Sequence, residues 1–100
     1  MKIKTIFTKT GDLKFISHLD LVRLFQRASR RAGLAVTITK GFSPRLKISV
    51  LRALKLGVES SSEEAVFNMD GEFAPEEFRE RINKVLPEGV RIINAERDIR

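Results

Sequence analysis

The stretch SHLDLVRLFQRASRRAG, Ser17 to Gly33, constrains the fold of this chain more than any other. Ser17 is a good helix N-cap, and Asp20 three residues later nearly completes a capping box. Ile16 before the cap and Leu21 after it are spaced for a hydrophobic staple. Gly33 is a natural C-terminal stop. Between these marks, Leu21, Leu24, Phe25, Ala28 and Ala32 fall on one face at the helical period. The spacing predicts a helix over Ser17–Ala32 with a single apolar stripe. Such a helix must lie against a second layer to bury that stripe.

Alternating segments supply the second layer. KIKTIFTKTG reads as a strand, with Ile3 and Phe7 in phase and Ile6 on the other side. Thr10-Gly11-Asp12 reads as a turn, and LKFI as a short extended lead into the helix. LAVTITK is a second strand and LKISVLRA a third, joined as a hairpin through Gly41 to Arg45. Gly57 and the ESSS run form a turn and a polar loop. EEAVFNMDG is a fourth strand, with Ala65, Phe67 and Met69 in phase. Pro75 suits the first turn of a second helix, Pro75–Leu86, with Phe78, Ile82, Val85 and Leu86 on its core face. VRIINAER is the last strand. The expected order is β-α-β-β-β-α-β, one strand away from the split β-α-β repeat called ferredoxin-like. The expected fold class is α+β, with both helices on one face of a mostly antiparallel sheet. No linker or repeat divides the 100 residues, which suits one domain over 1–100. A chain ending in ERDIR just after a strand equally suits the N-terminal part of a longer protein.

The polar face of the first helix raises the functional question. Arg23, Arg27, Arg30 and Arg31 fall within roughly 100° of arc opposite the apolar stripe. Charged helix faces are usually plain solvated surface, but those tend to mix signs. Here no acid follows Asp20 in the helix. The repulsion is easier to understand if an anion relieves it. The whole chain repeats this asymmetry. Residues 1–55 hold 13 Lys and Arg against two acids, whereas residues 56–100 hold 6 against 11. A charge split of this size suggests one face built for a polyanion, most commonly nucleic acid. An anionic membrane or an acidic protein surface would also serve. The hairpin adds Lys40, Arg45 and Lys47 around Phe42. Phe42 reads first as a core ring that anchors its own loop, and second as an exposed platform for an unpaired base.

Chemistry-bearing motifs are scarce. The absence of cysteine excludes a disulfide frame, a thiol nucleophile and a cysteine-held iron–sulfur cluster. A single histidine makes a zinc site unfavourable, and neither metal nor cofactor is expected. Walker-type and dinucleotide-type glycine patterns and a nucleophile elbow are missing. His18 sits in the first helical turn, where the dipole disfavours the imidazolium and a neutral ring can act as a base. It is a weak catalytic candidate, because Ser17 and Asp20 beside it are explained by capping. No apolar run reaches a membrane span and no signal peptide is visible, so the expected setting is cytoplasmic.

Three segments, SHLDLVRLFQRASRRAG, GFSPRLKIS and LGVESSSEE, resemble in order and spacing the radical SAM-linked domain of unknown function found in bacteria. The resemblance covers most of the chain. It implies a domain that stands alone, is fused to radical SAM proteins or is encoded beside them, with some relatives neighbouring ribonuclease E/G-type genes. It carries no established activity. The family motifs map onto Ser17, His18, Asp20 and Arg23, and onto Gly41, Phe42, Pro44 and Arg45. VLRALKLG departs from a segment usually richer in proline, and EEAVFNM lacks an aromatic that often follows the glutamate. Relatives are often about twice this length. Without cysteine the chain cannot run a radical SAM reaction itself. The expected function is therefore a non-catalytic RNA-binding module, with tRNA as a candidate, that serves a radical SAM modifying enzyme. The alternatives are a protein–protein adaptor for such an enzyme with no RNA role, and a small metal-independent ribonuclease using His18.

Overall fold

The computed structural model describes residues 1–52 and 56–98. Its strands are β1 (Lys2–Lys9), β2 (Ile48–Val50), β3 (Ser60–Asn68) and β4 (Val90–Asp98); its helices are α1 (His18–Arg31) and α2 (Pro75–Asn83). The sheet order is β2-β3-β1-β4, with every neighbouring pair antiparallel. This is the expected α+β class, and the order matches a ferredoxin-like β-α-β-β-α-β unit.

Alternation in β1 decides which sheet face is covered. Ile3, Thr5, Phe7 and Lys9 are buried, whereas Lys2, Lys4, Ile6 and Thr8 point the other way. Phe7 meets Phe25 of α1 at 5.1 Å between ring centroids. Phe25 meets Phe67 of β3 at 5.5 Å, and Phe67 meets Phe78 of α2 at 4.8 Å, all near edge-to-face. One file of four rings therefore runs from α1 to α2 across the sheet, and both helices lie on the same face.

The second expected strand, LAVTITK, does not form as a full strand. It makes two isolated bridges, Val36 to Met69 and Ile38 to Leu46. The reason is competition for one sheet edge. Val36 pairs beside Met69 and Ile48 beside Phe67, so both segments extend the same edge line along β3. The residues between them must leave the sheet, and they do so as a hairpin. Lys47 N–H donates to Thr37 O at 2.7 Å, and Thr39 N–H donates to Arg45 O at 2.7 Å. The third expected strand shortens to β2 for the same reason; Ala53 at its expected end lies outside the described residues. The LKFI lead is not extended either, because Gly11–Phe15 winds as a 3₁₀ turn.

Candidate functional site

The helix that carries the arginines is fixed at both ends. Ser17 Oγ accepts from Asp20 N–H at 3.1 Å, as the N-cap pattern requires. At the other end, Arg81 of α2 donates to Ala32 O at 2.6 Å and Gly33 O at 3.1 Å. Ala32 O is one of the carbonyls a helix C-terminus leaves without partners, and Gly33 O follows it just beyond the cap. Gly33 has φ +68°, and a Cβ there would stand 3.0 Å from the Arg81 guanidinium. The glycine is favoured by its left-handed conformation, and a side chain there would also displace the tip of Arg81.

All four arginines of α1 are exposed. Arg23 reaches Asp20 at 3.5 Å, so the N-terminal end of the stripe is partly neutralised. Among the described residues, no carboxylate stands within 4.0 Å of the charged groups of Arg27, Arg30 or Arg31. Arg27 and Arg31, one turn apart, flank a groove of about 400 Å³ floored by Leu24, Ala28, Val85 and Pro87. The stripe thus has an apolar-bottomed channel along one side.

The hairpin projects from the sheet end where Met69 lies. The last turn of α1 feeds into it, since Leu34 N–H closes on Ser29 O at 3.0 Å and Val36 follows at the sheet edge. Arg30 and Arg31 therefore sit at the hairpin's end of the helix. Arg23 lies about 10 Å further along the axis, at 1.5 Å rise per residue. Lys40, Arg45 and Lys47 are exposed, and among the described residues they too have no acid within 4.0 Å. Phe42 corrects the first of its two readings: it anchors nothing and is fully exposed, at 109%. The loop is held by its own backbone and by Thr39, whose Oγ1 accepts from Arg45 N–H at 3.1 Å. With those bonds made, the ring is free to face solvent.

His18 is half-buried, and its Nδ1 has no hydrogen-bond partner. A general base of the triad kind is oriented by a second group, and none does so here among the described residues. No cluster of three His, Cys, Asp or Glu able to hold a metal occurs among them either. No helix among them is long and apolar enough to cross a membrane.

A charged cluster lies at the opposite end of the sheet. The Glu63 carboxylate is 3% exposed. It receives two hydrogen bonds from Arg52, both at 2.9 Å, and one from Ser60 Oγ at 2.6 Å. Arg52's hydrogen bonds hold its carboxyl below the usual carboxylate range, against the cost of burial; Ser60 and the charges of Arg52 and Lys9 add to the lowering. Lys9 itself is 1% exposed. Its signal in the sequence is its phase, two residues beyond Phe7 on the covered face. Arg81 gave no comparable signal, because its partners are backbone carbonyls 48 and 49 residues away.

The family described as uncharacterised proteins conserved in bacteria (DUF2344) matches residues 2–98, nearly the whole chain. No curated protein and no solved structure shows a significant match to it.

Proposed function

The chain belongs to that bacterial family, and from this premise we propose that it is a non-catalytic RNA-binding module of the cytoplasm. In this reading it presents an RNA, tRNA among the candidates, to a radical SAM modifying enzyme. The observation that carries the reading is the set of exposed cations without acid partners: Arg27, Arg30 and Arg31 on α1, and Lys40, Arg45 and Lys47 on the hairpin. Guanidinium groups make charge-assisted, bidentate bonds to phosphate oxygens. The exposed Phe42 ring on the same hairpin offers a surface on which an unpaired base stacks.

Fluorescence anisotropy with a single-stranded oligoribonucleotide over a salt series tests this. If four to six phosphates are neutralised, log affinity falls against log salt with a slope of roughly −3 to −4. Arg27→Ala or Arg30→Ala weakens binding across sequences and flattens the slope by somewhat under one unit. Phe42→Ala leaves the slope unchanged and weakens binding by about 1–3 kcal/mol. Absent binding at low salt, or a salt-insensitive affinity, overturns the reading.

One observation favours the adaptor reading. Phe15, Leu56 and Val58 are exposed apolar residues at the far end of the sheet from the hairpin. Gly57 N–H donates to Lys14 O at 2.7 Å, and a Cβ at Gly57 would stand 3.7 Å from the Phe15 ring. This apolar surface suits a protein partner. Capture of a radical SAM protein from native cells, lost on Phe15→Ser, together with no RNA binding at low salt, supports the adaptor reading with no RNA role.

A further inference from the structure

The acidic half of the sequence hides a basic groove. Arg79 and Lys84, from α2 and its C-cap, and Arg91, from β4, line a depression of about 500 Å³ together with Glu80, Asn83, Ile92 and Ile93. That volume lies within the ~300–1,000 Å³ of ordinary ligand sites. Among the described residues none of the three cations has an acid within 4.0 Å. With Glu80 the only acid on the wall among the described residues, the groove carries two net positive charges.

Two features make the groove a formed site. Asn83 occupies the free edge of β4: Ile92 N–H donates to its Oδ1 at 2.9 Å, and its Nδ2 donates to Ile92 O at 2.8 Å. The side chain thus stands in for a neighbouring strand and locks α2 to β4. Beside it lies an irregularity in pairing. Ile6 faces Asn94 but Phe7 faces Ile92, so Ile93 is left without an opposite residue on β1. Such bulges re-aim a side chain, and Ile93 joins the groove wall while 45% exposed.

We propose that this groove binds the phosphate of a nucleotide, either a free mononucleotide or the 5′ end of an RNA chain. Arg79, Lys84 and Arg91 take the phosphate. A phosphomonoester carries about −1.5 to −2 charge at pH 7, which matches the net charge of the wall. Glu80 accepts a hydrogen bond from a ribose hydroxyl, and Ile93 gives the base an apolar surface. The site is separate from the α1 and hairpin cations and does not rest on their role.

The test uses isothermal titration with adenosine 5′-monophosphate, with adenosine as control. Oligoribonucleotides bearing a 5′-phosphate or a 5′-hydroxyl form the second arm. Lys84→Gln/Arg91→Gln changes two exposed residues, and its thermal melt verifies the fold. The expected result is that one or both phosphorylated probes bind more tightly than their unphosphorylated partners. In the double variant that advantage shrinks on the order of tenfold, as for lost charge-assisted bonds. Arg27→Gln/Arg31→Gln leaves it unchanged. An advantage for the mononucleotide identifies a free ligand, and one for the oligonucleotide alone an RNA end. If phosphate brings no advantage, or the double variant keeps it, the proposal is overturned. Loss of RNA binding only in the α1 variant leaves the groove standing on the mononucleotide arm.

Discussion

Glu63 shows how much one residue carries in a sheet this small. Its carboxylate is nearly sealed from solvent and holds Arg52 and Ser60 together across the start of β3. Because its folded-state pKa is lowered, its stabilisation is fully present above the unfolded value of about 4.3 and is lost as pH falls through the folded value. Glu63→Gln keeps the shape and removes the charge. It should cost about 1–2 kcal/mol at pH 7, a figure kept low because the Arg52 side of the pair is solvated. Urea melts from pH 7 down to pH 3 check this, with the gap to wild type closing below about pH 4. A gap that stays constant would assign the effect to packing. Ser17→Ala tests a smaller contact. Losing the bond to Asp20 N–H should cost about 1 kcal/mol in thermal stability. The cap was legible in the sequence because it needs only a residue type and a spacing. Glu63 carries the same phase signal as Lys9, two residues before Ala65, but its partners were not legible, because Arg52 and Lys9 reach it from other segments.

Elements were legible where their signal was local, and misread where neighbours compete. The α1 helix falls as its caps and apolar stripe require. LAVTITK has the alternation of a strand, yet β3 offers a single edge and Ile48 already extends along it. Alternation reports which side chains share a face; it does not report whether an edge is vacant. The exposure of Phe42 follows from that. Had LAVTITK and LKISVLRA paired over their whole length, the loop would have closed nearer the sheet. The C-terminus of α1 depends on another element altogether. Arg81 caps it, pairs with Glu77 at 3.9 Å and lies over the Phe73 ring at 5.6 Å. Arg81→Ala should cost about 1–2 kcal/mol, a figure kept low because the side chain is partly solvated. Hydrogen exchange should show the loss concentrated in the last turn of α1 and in Leu34, with the first turn unchanged. Uniform loosening along α1 would mean that Arg81 acts by general packing.

At the scale of the whole molecule, the sheet has one covered face and one open face, so the proposed RNA interface falls either on the open face or on the helical layer with its hairpin. On the open face, Lys2, Lys4, Ile6 and Thr8 of β1 stand opposite Asn68, Val66 and Glu64 of β3, and Asp98, Glu96, Asn94 and Arg91 of β4. The signs are mixed there, and Lys4 reaches Glu64 at 3.8 Å. The aromatic residues of the strands, Phe7 and Phe67, are both buried under the helices. Sheet platforms that bind single-stranded RNA use aromatic rings on the strands to stack bases, and this face has none among the described residues. Six of the cations without acid partners, Arg27, Arg30, Arg31, Lys40, Arg45 and Lys47, lie instead on α1 and on the hairpin at the sheet edge. RNA should therefore follow the helical layer and the hairpin, leaving the open face bare. Lys2→Gln/Lys4→Gln should leave both affinity and salt slope at wild-type values, whereas Arg30→Gln/Arg45→Gln should flatten the slope by about one to one and a half units. The two double variants remove equal charge, so a general effect of net charge would affect them alike. Equal losses in both would show that RNA reads the overall charge of the molecule, and a larger loss in the Lys2/Lys4 variant would move the interface to the open sheet.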